Sequence, residues 1–127
     1  MSRTTATLSV AVALWIALVV IGGATGLRAA LPFDDKIHHA AAWGVLGALV
    51  AAAARHHWPR ATPALVGVFA VALGLGFGAL DEFVQSMVPG RDADLMDLAA
   101  DSVGLVVGVA LSLLVVRPEA SRSSSAA

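Results

Sequence analysis

The chain has 127 residues, of which 58% are hydrophobic and 13% charged, with a formal net charge of −1 and a mean hydropathy of +0.83. A soluble domain carries roughly 25% charged residues, so this composition argues against a water-soluble globular fold, and the near-neutral charge argues against nucleic-acid binding. No cysteine is present, which excludes disulfides and thiolate metal sites.

Four apolar runs, at about 8–26, 37–54, 64–80 and 98–116, approach the ~18–20 residues that carry a helix across a bilayer. They predict an all-α fold, an integral membrane bundle of four transmembrane helices over residues 1–117. The Ser- and Ala-rich stretch 118–127 is expected to be a disordered tail.

In the first run, Arg3 ahead of a long apolar core also resembles a secretory signal peptide, and the small residues 22–26 would admit cleavage. The length of the run and the lack of a clear A-x-A tripeptide after it favour a retained span. Cleavage would leave the functional reading unchanged.

Between the first two runs, Pro32 and Phe33 predict an irregular approach to the second helix. Asp34 or Asp35 can cap that helix by accepting from free backbone N–H groups. Capping accounts for one aspartate but not for Lys36 and His39 beside it. Asp35, Lys36 and His39 share one helical face, which continues inward through Trp43 and Gly47. The second run is rich in Ala and Gly, which let membrane helices approach closely. The basic turn that follows, Arg55, His56, His57, Trp58 and Arg60, has no carboxylate near it and reads as an interfacial anchor rather than a metal site.

The third run carries Gly74 and Gly78, a small-xxx-small pair suited to helix contact. If its helix continues outward, Asp81, Glu82 and Gln85 fall within one turn of each other. Pro89-Gly90 then breaks it, and Asp94 or a neighbour starts the fourth helix. Asp97, Asp101, Gly104, Gly108 and Ser112 form a single stripe along that helix. Its outer end is carboxylate and its inner end small. Asp101 lies about a turn inside the span, where an ionisable group needs a partner; Arg91, Lys36 and His39 are the available cations. The glycine pairs are expected to pack within one chain, so a monomer is favoured over a dimer.

With four spans, one side of the membrane holds Arg3, Arg55, Arg60, Arg117 and Arg122 against one acid, Glu119. The other holds Arg28, Lys36 and Arg91 against Asp34, Asp35, Asp81, Glu82, Asp92, Asp94, Asp97 and Asp101. Basic residues favour the cytoplasm, so the N- and C-termini are expected to be cytoplasmic. The polar cluster then faces the extracytoplasmic side of the cell membrane.

DKxxH at Asp35, Lys36 and His39, DExxQ at Asp81, Glu82 and Gln85, and the PGR…D…D…G…G series beginning at Pro89 together resemble the VanZ-like family. The resemblance covers about 34–108 and the four-span layout. Within it, Ala40 stands where the family is usually aromatic, and Asp101 where it has Asn. It implies a small membrane protein with a cell-envelope role. The family takes its name from a member linked to resistance to the lipoglycopeptide teicoplanin. The resemblance supplies no reaction.

Asp35, Lys36, His39, Asp81, Glu82, Gln85, Arg91, Asp97 and Asp101 are the candidate functional cluster. The leading expectation is a site for an amphiphile: a membrane lipid headgroup, a lipid-linked cell-wall intermediate or a lipoglycopeptide. Arg91, Lys36 and protonated His39 would engage a phosphate, the carboxylates and Gln85 would accept hydroxyls or an amine, and an acyl chain would lie in a groove beside the glycine-lined helices. No cofactor or resident metal is expected. One alternative is a membrane enzyme acting on a lipid phosphate or glycan by carboxylate–His acid–base chemistry or with a divalent ion. The other is a structural lock, with Asp97 and Asp101 paired to Arg91, and Asp81 and Glu82 paired to Lys36 and His39.

Overall fold

Each helix opens at an oxygen-bearing side chain that accepts from an otherwise orphaned backbone N–H. In the computed structural model, which describes residues 2–25 and 34–116, Ser2 accepts from the Thr5 amide at the start of α1 (Arg3–Thr25). Asp34 accepts from Lys36 at the start of α2 (Asp35–His57). Thr62, followed by Pro63, accepts from Leu65 at the start of α3 (Pro63–Ser86). Asp94 accepts from Met96 at the start of α4 (Leu95–Val115). All four helices are long and apolar enough to cross a membrane. The expected irregular approach at Pro32 and Phe33, and the expected disordered tail 118–127, lie outside the described residues.

The third helix extends past its apolar run to Ser86, and the fourth begins before its own at Leu95. Asp81, Glu82, Gln85 and Asp97 are therefore helical residues with fixed directions. The short turn between the helices passes through Gly90 at φ +82°, a left-handed conformation that a side chain would strain.

The bundle is built on α2 and α4, its most extensive helix pair. A methyl at Gly104 would collide with the Ala40 carbonyl, and one at Gly108 with the Gly44 carbonyl. At Gly47 an added carbon would lie 2.7 Å from the Leu105 carbonyl oxygen. Two backbones thus run almost in contact, as small residues permit in membrane helices. Helix α3 lies on this pair through Gly74 beneath the Leu105 side chain and Gly78 beside the Trp43 indole nitrogen. Helix α1 packs on α2 and α3, and the Trp15 indole donates to the Ala42 carbonyl at 2.8 Å. Gly74, Gly78, Gly104 and Gly108 each lie against another helix of the chain. At each of these four glycines an added carbon would meet a neighbouring helix.

Burial is inverted relative to a water-soluble protein. Leu14, Leu18, Val68, Leu111 and Leu114 face outward, while His39, Asp81 and Asp101 are fully enclosed. Apolar packing fills the middle and the end opposite these polar groups, around Leu46, Val50, Val66, Ala70 and Val109. At that opposite end Trp58 stands edge-on to Phe69 with centroids 4.9 Å apart, and Ser9 bonds His57 at 3.1 Å.

Candidate functional site

The polar end of the bundle is assembled from three helix ends. The N-termini of α2 and α4 and the C-terminus of α3 converge there, bringing Asp35, Lys36 and His39 to Glu82, Asp97 and Asp101. The close approach of α2 and α4 at Gly104 sets their separation one turn below. As a result the imidazole of His39 meets the carboxylate of Asp101 directly, Nδ1 to Oδ1 at 2.8 Å, with both side chains fully buried. The other ring nitrogen, Nε2, lies 3.6 Å from Asp97 Oδ2. His39 also stacks on Trp43, centroids 6.2 Å apart at 29°, and the Trp43 indole donates to the Gly74 carbonyl at 3.3 Å. This fixes the ring from below.

Lys36 closes the cluster on the outer side. Its ammonium donates to Asp94 at 2.6 Å and to Asp97 in a shorter contact. Lys36 and Asp94 are partly exposed, whereas Asp97 is buried. The Lys36 ammonium holds the Asp94 carboxyl below the usual carboxylate range, with the Met96 amide adding to the effect.

Glu82 is held at one oxygen only. Its Oε2 accepts from the Asp94 backbone N–H at 3.0 Å. Its Oε1 is buried and has no hydrogen-bond partner among the described residues. Asp81 and Gln85, one turn apart on α3 and both buried, bond to each other at 2.9 Å.

The observed pairs differ from those of the structural-lock alternative, in which Arg91 takes Asp97 and Asp101. Asp97 is paired with Lys36, and Asp101 with His39. Glu82 is bonded to a backbone amide and Asp81 to Gln85. Arg91, expected to pair with Asp97 and Asp101, donates through Nη1 to the Gly23 carbonyl at the end of α1, at 2.9 Å. The cause is reach and register. Lys36 and His39 face the first turns of α4 across the narrow α2–α4 contact, whereas Arg91 lies in the turn before α4 and extends towards α1.

Two residues belong to the site that the sequence reading did not place in it. By its spacing in the sequence Asp94 is a helix start and nothing more. One of its oxygens caps α4 while the other binds Lys36, and its amide holds Glu82. A carboxylate at an N-cap has an oxygen to spare, which is the signal that could have found it. Trp43 was assigned to the same face as His39 without a role, and its indole supports that histidine.

Two groups of donors could each surround a cation. Asp35, His39 and Asp97 form one, and His39, Glu82 and Asp101 the other, with ligand atoms within 4.8 Å of one another in each. The second group is buried throughout.

The VanZ/LLP1 family model matches residues 12–116. No curated protein and no solved structure matches the chain.

Proposed function

The chain belongs to the VanZ/LLP1 family, and from that premise we propose that the polar end of this membrane protein binds the headgroup of an amphiphile. The class comprises membrane lipids, lipid-linked cell-wall intermediates and lipoglycopeptides. One observation carries the reading. Glu82 presents a buried carboxylate oxygen that no described group satisfies, and leaving such an acceptor unmade costs about 1–3 kcal/mol, more for a charged group. A ligand hydroxyl or amine would recover that energy.

The arrangement favours a hydroxyl- or amine-bearing headgroup over a phosphate. Lys36 is already engaged by Asp94 and Asp97, His39 by Asp101, and Arg91 donates to a backbone carbonyl. Phosphate would have to draw a cation away from these partners while facing buried carboxylates. The partly exposed Lys36–Asp94 pair forms the rim through which a headgroup enters. A role in glycopeptide resistance would follow if the bound amphiphile is the antibiotic or its cell-wall target.

Native mass spectrometry of the detergent-extracted protein tests this reading. A lipid or lipid-linked glycan retained by the wild type and lost from a folded Glu82→Gln variant is the expected result. Retention undiminished by that substitution would overturn it. The excess of Arg at the opposite end supports an extracytoplasmic position for the site, and a periplasmically active reporter fused after Ala120 would invert that orientation.

A second reading rests on the His39–Asp101 pair. A carboxylate on one imidazole nitrogen orients the ring so that the other can carry a proton to or from a bound group. Turnover of a lipid or glycan by the purified protein, followed by mass spectrometry with divalent ions supplied, decides it. No product from any such substrate would leave binding alone.

A further inference from the structure

Four carboxylate residues gather in the buried part of the polar end. Asp81, Glu82, Asp97 and Asp101 are all buried, and among the described residues Lys36 pairs with Asp97 and His39 with Asp101. Lys36 is directed to Asp97 and to Asp94 at the rim. Deeper in, His39 stands between Asp101 and Glu82, whose donor atoms lie within 4.8 Å of it and of each other. Buried carboxylates are costly unless paired or coordinated to a metal.

Glu82 supplies an independent indication. Its side chain is in a residue only 7% exposed, its Oε2 is fixed by the Asp94 amide, and its Oε1 has no hydrogen-bond partner among the described residues. A carboxylate anchored at one oxygen and bare at the other is how a metal ligand is held by a supporting hydrogen bond. Trp43 stacked on His39, itself bonded to the Gly74 carbonyl, supports the imidazole in the same way.

We infer that His39, Glu82 and Asp101 bind one divalent transition-metal cation, of the zinc or manganese class, with coordination positions left for an incoming oxygen. One imidazole and two carboxylates give a mixed N/O set that suits such ions better than the all-oxygen cages of calcium. Neutral imidazole and two carboxylates carry −2, which a dication cancels. Three protein ligands with an open position is the pattern of reactive zinc sites rather than structural ones.

Ligand bonds of about 2.0–2.2 Å require the donors to draw together from their present spread. They also require the His39–Asp101 hydrogen bond, 2.8 Å long, to open, with loss of its proton as the ion binds. These are side-chain movements at helix ends; the α2–α4 backbone contact below is unaffected. That a headgroup hydroxyl then occupies the open position rests on the amphiphile reading above. The metal site itself does not.

The test uses the full chain in detergent, stripped of co-purifying lipid, so that metal binding and headgroup binding are read separately. The purified protein is dialysed against ZnCl2 and, separately, MnCl2, and bound metal is measured by mass spectrometry. About one ion per chain is expected for the wild type and for Asp92→Asn, an exposed carboxylate outside the set. At least a tenfold loss of affinity is expected for Glu82→Gln and for Asp101→Asn. Absence of uptake by folded wild type, or uptake unchanged in both variants, overturns the inference. If either variant fails to fold, X-ray absorption of the metal-loaded wild type decides. A shell containing imidazole nitrogen and carboxylate oxygen is expected, and an all-oxygen shell rules the site out. Metal uptake by the stripped protein, together with no lipid retained on native mass spectrometry of the unstripped protein, would sustain the metal site and sink the headgroup reading.

Discussion

His39 and Asp101 lie 62 positions apart in the chain and meet at 2.8 Å in a space closed to solvent. Their contact exists because α2 and α4 approach at Ala40 and Gly104, one turn inward, almost backbone to backbone. The chemistry of the site and the small residues of the bundle are thus one design. A side chain that wedges the helices apart below would separate the pair above.

That dependence gives the first expectation. Gly104→Ala places a methyl against the Ala40 carbonyl, which cannot move without shifting α2. Overpacking of this kind costs about 1–3 kcal/mol, here against rigid backbone and so at the upper end. Gly76→Ala, on α3, meets nothing within 4 Å and should be neutral or stabilising by up to about 1 kcal/mol through helix propensity. Thermal unfolding in detergent compares the two. Equal effects would mean that the α2–α4 contact does not govern stability.

The buried pair itself can be weighed by a double-mutant cycle. Removing one partner of a buried ion pair typically costs about 3–5 kcal/mol because the other is stranded. Asp101→Ala is therefore expected to be strongly destabilising, and His39→Ala also. The double variant should cost less than the sum, with a coupling of about 1–3 kcal/mol. Additive losses would show that the two groups stabilise the bundle independently.

The rim pair titrates where it can be measured. Lys36 holds the Asp94 carboxyl below its ordinary value, near 3.9 when unfolded. A depressed folded-state pKa means the contact stabilises at pH above that ordinary value and is lost as pH falls through the lowered one. Asp94→Asn keeps a good helix cap and removes only the charge. The melting temperature of wild type should exceed that of the variant at pH 7, and the gap should close below about pH 4. A gap independent of pH would place the effect of Asp94 in its capping role.

Much of this protein was legible without coordinates. Hydropathy alone marks four spans, because a bilayer demands about twenty apolar residues whatever the tertiary structure. Oxygen-bearing residues mark two helix starts: Asp34, one of the two aspartates offered for α2, and Asp94 each precede the helix that they cap. Helical periodicity put Asp97, Asp101, Gly104 and Gly108 on one stripe, and the stripe does face the bundle interior. That His39, Asp81, Glu82, Asp97 and Asp101 are enclosed also followed, since ionisable residues within or beside spans are few and turn inward.

What the sequence left open was pairing across helices. Periodicity assigns a face to each helix but carries no information about rotation or depth relative to its neighbours. Arg91 was the nearest cation in sequence to Asp97 and Asp101, yet it reaches the Gly23 carbonyl. Lys36 and His39, remote in sequence, take those aspartates because the α2–α4 glycine contact sets the two helices face to face. The tertiary structure alone decided that Asp94 meets Lys36 and Glu82 and that one Glu82 oxygen has no hydrogen-bond partner among the described residues. Both follow from distances of a few ångströms between separate helix ends, which no spacing along one chain encodes.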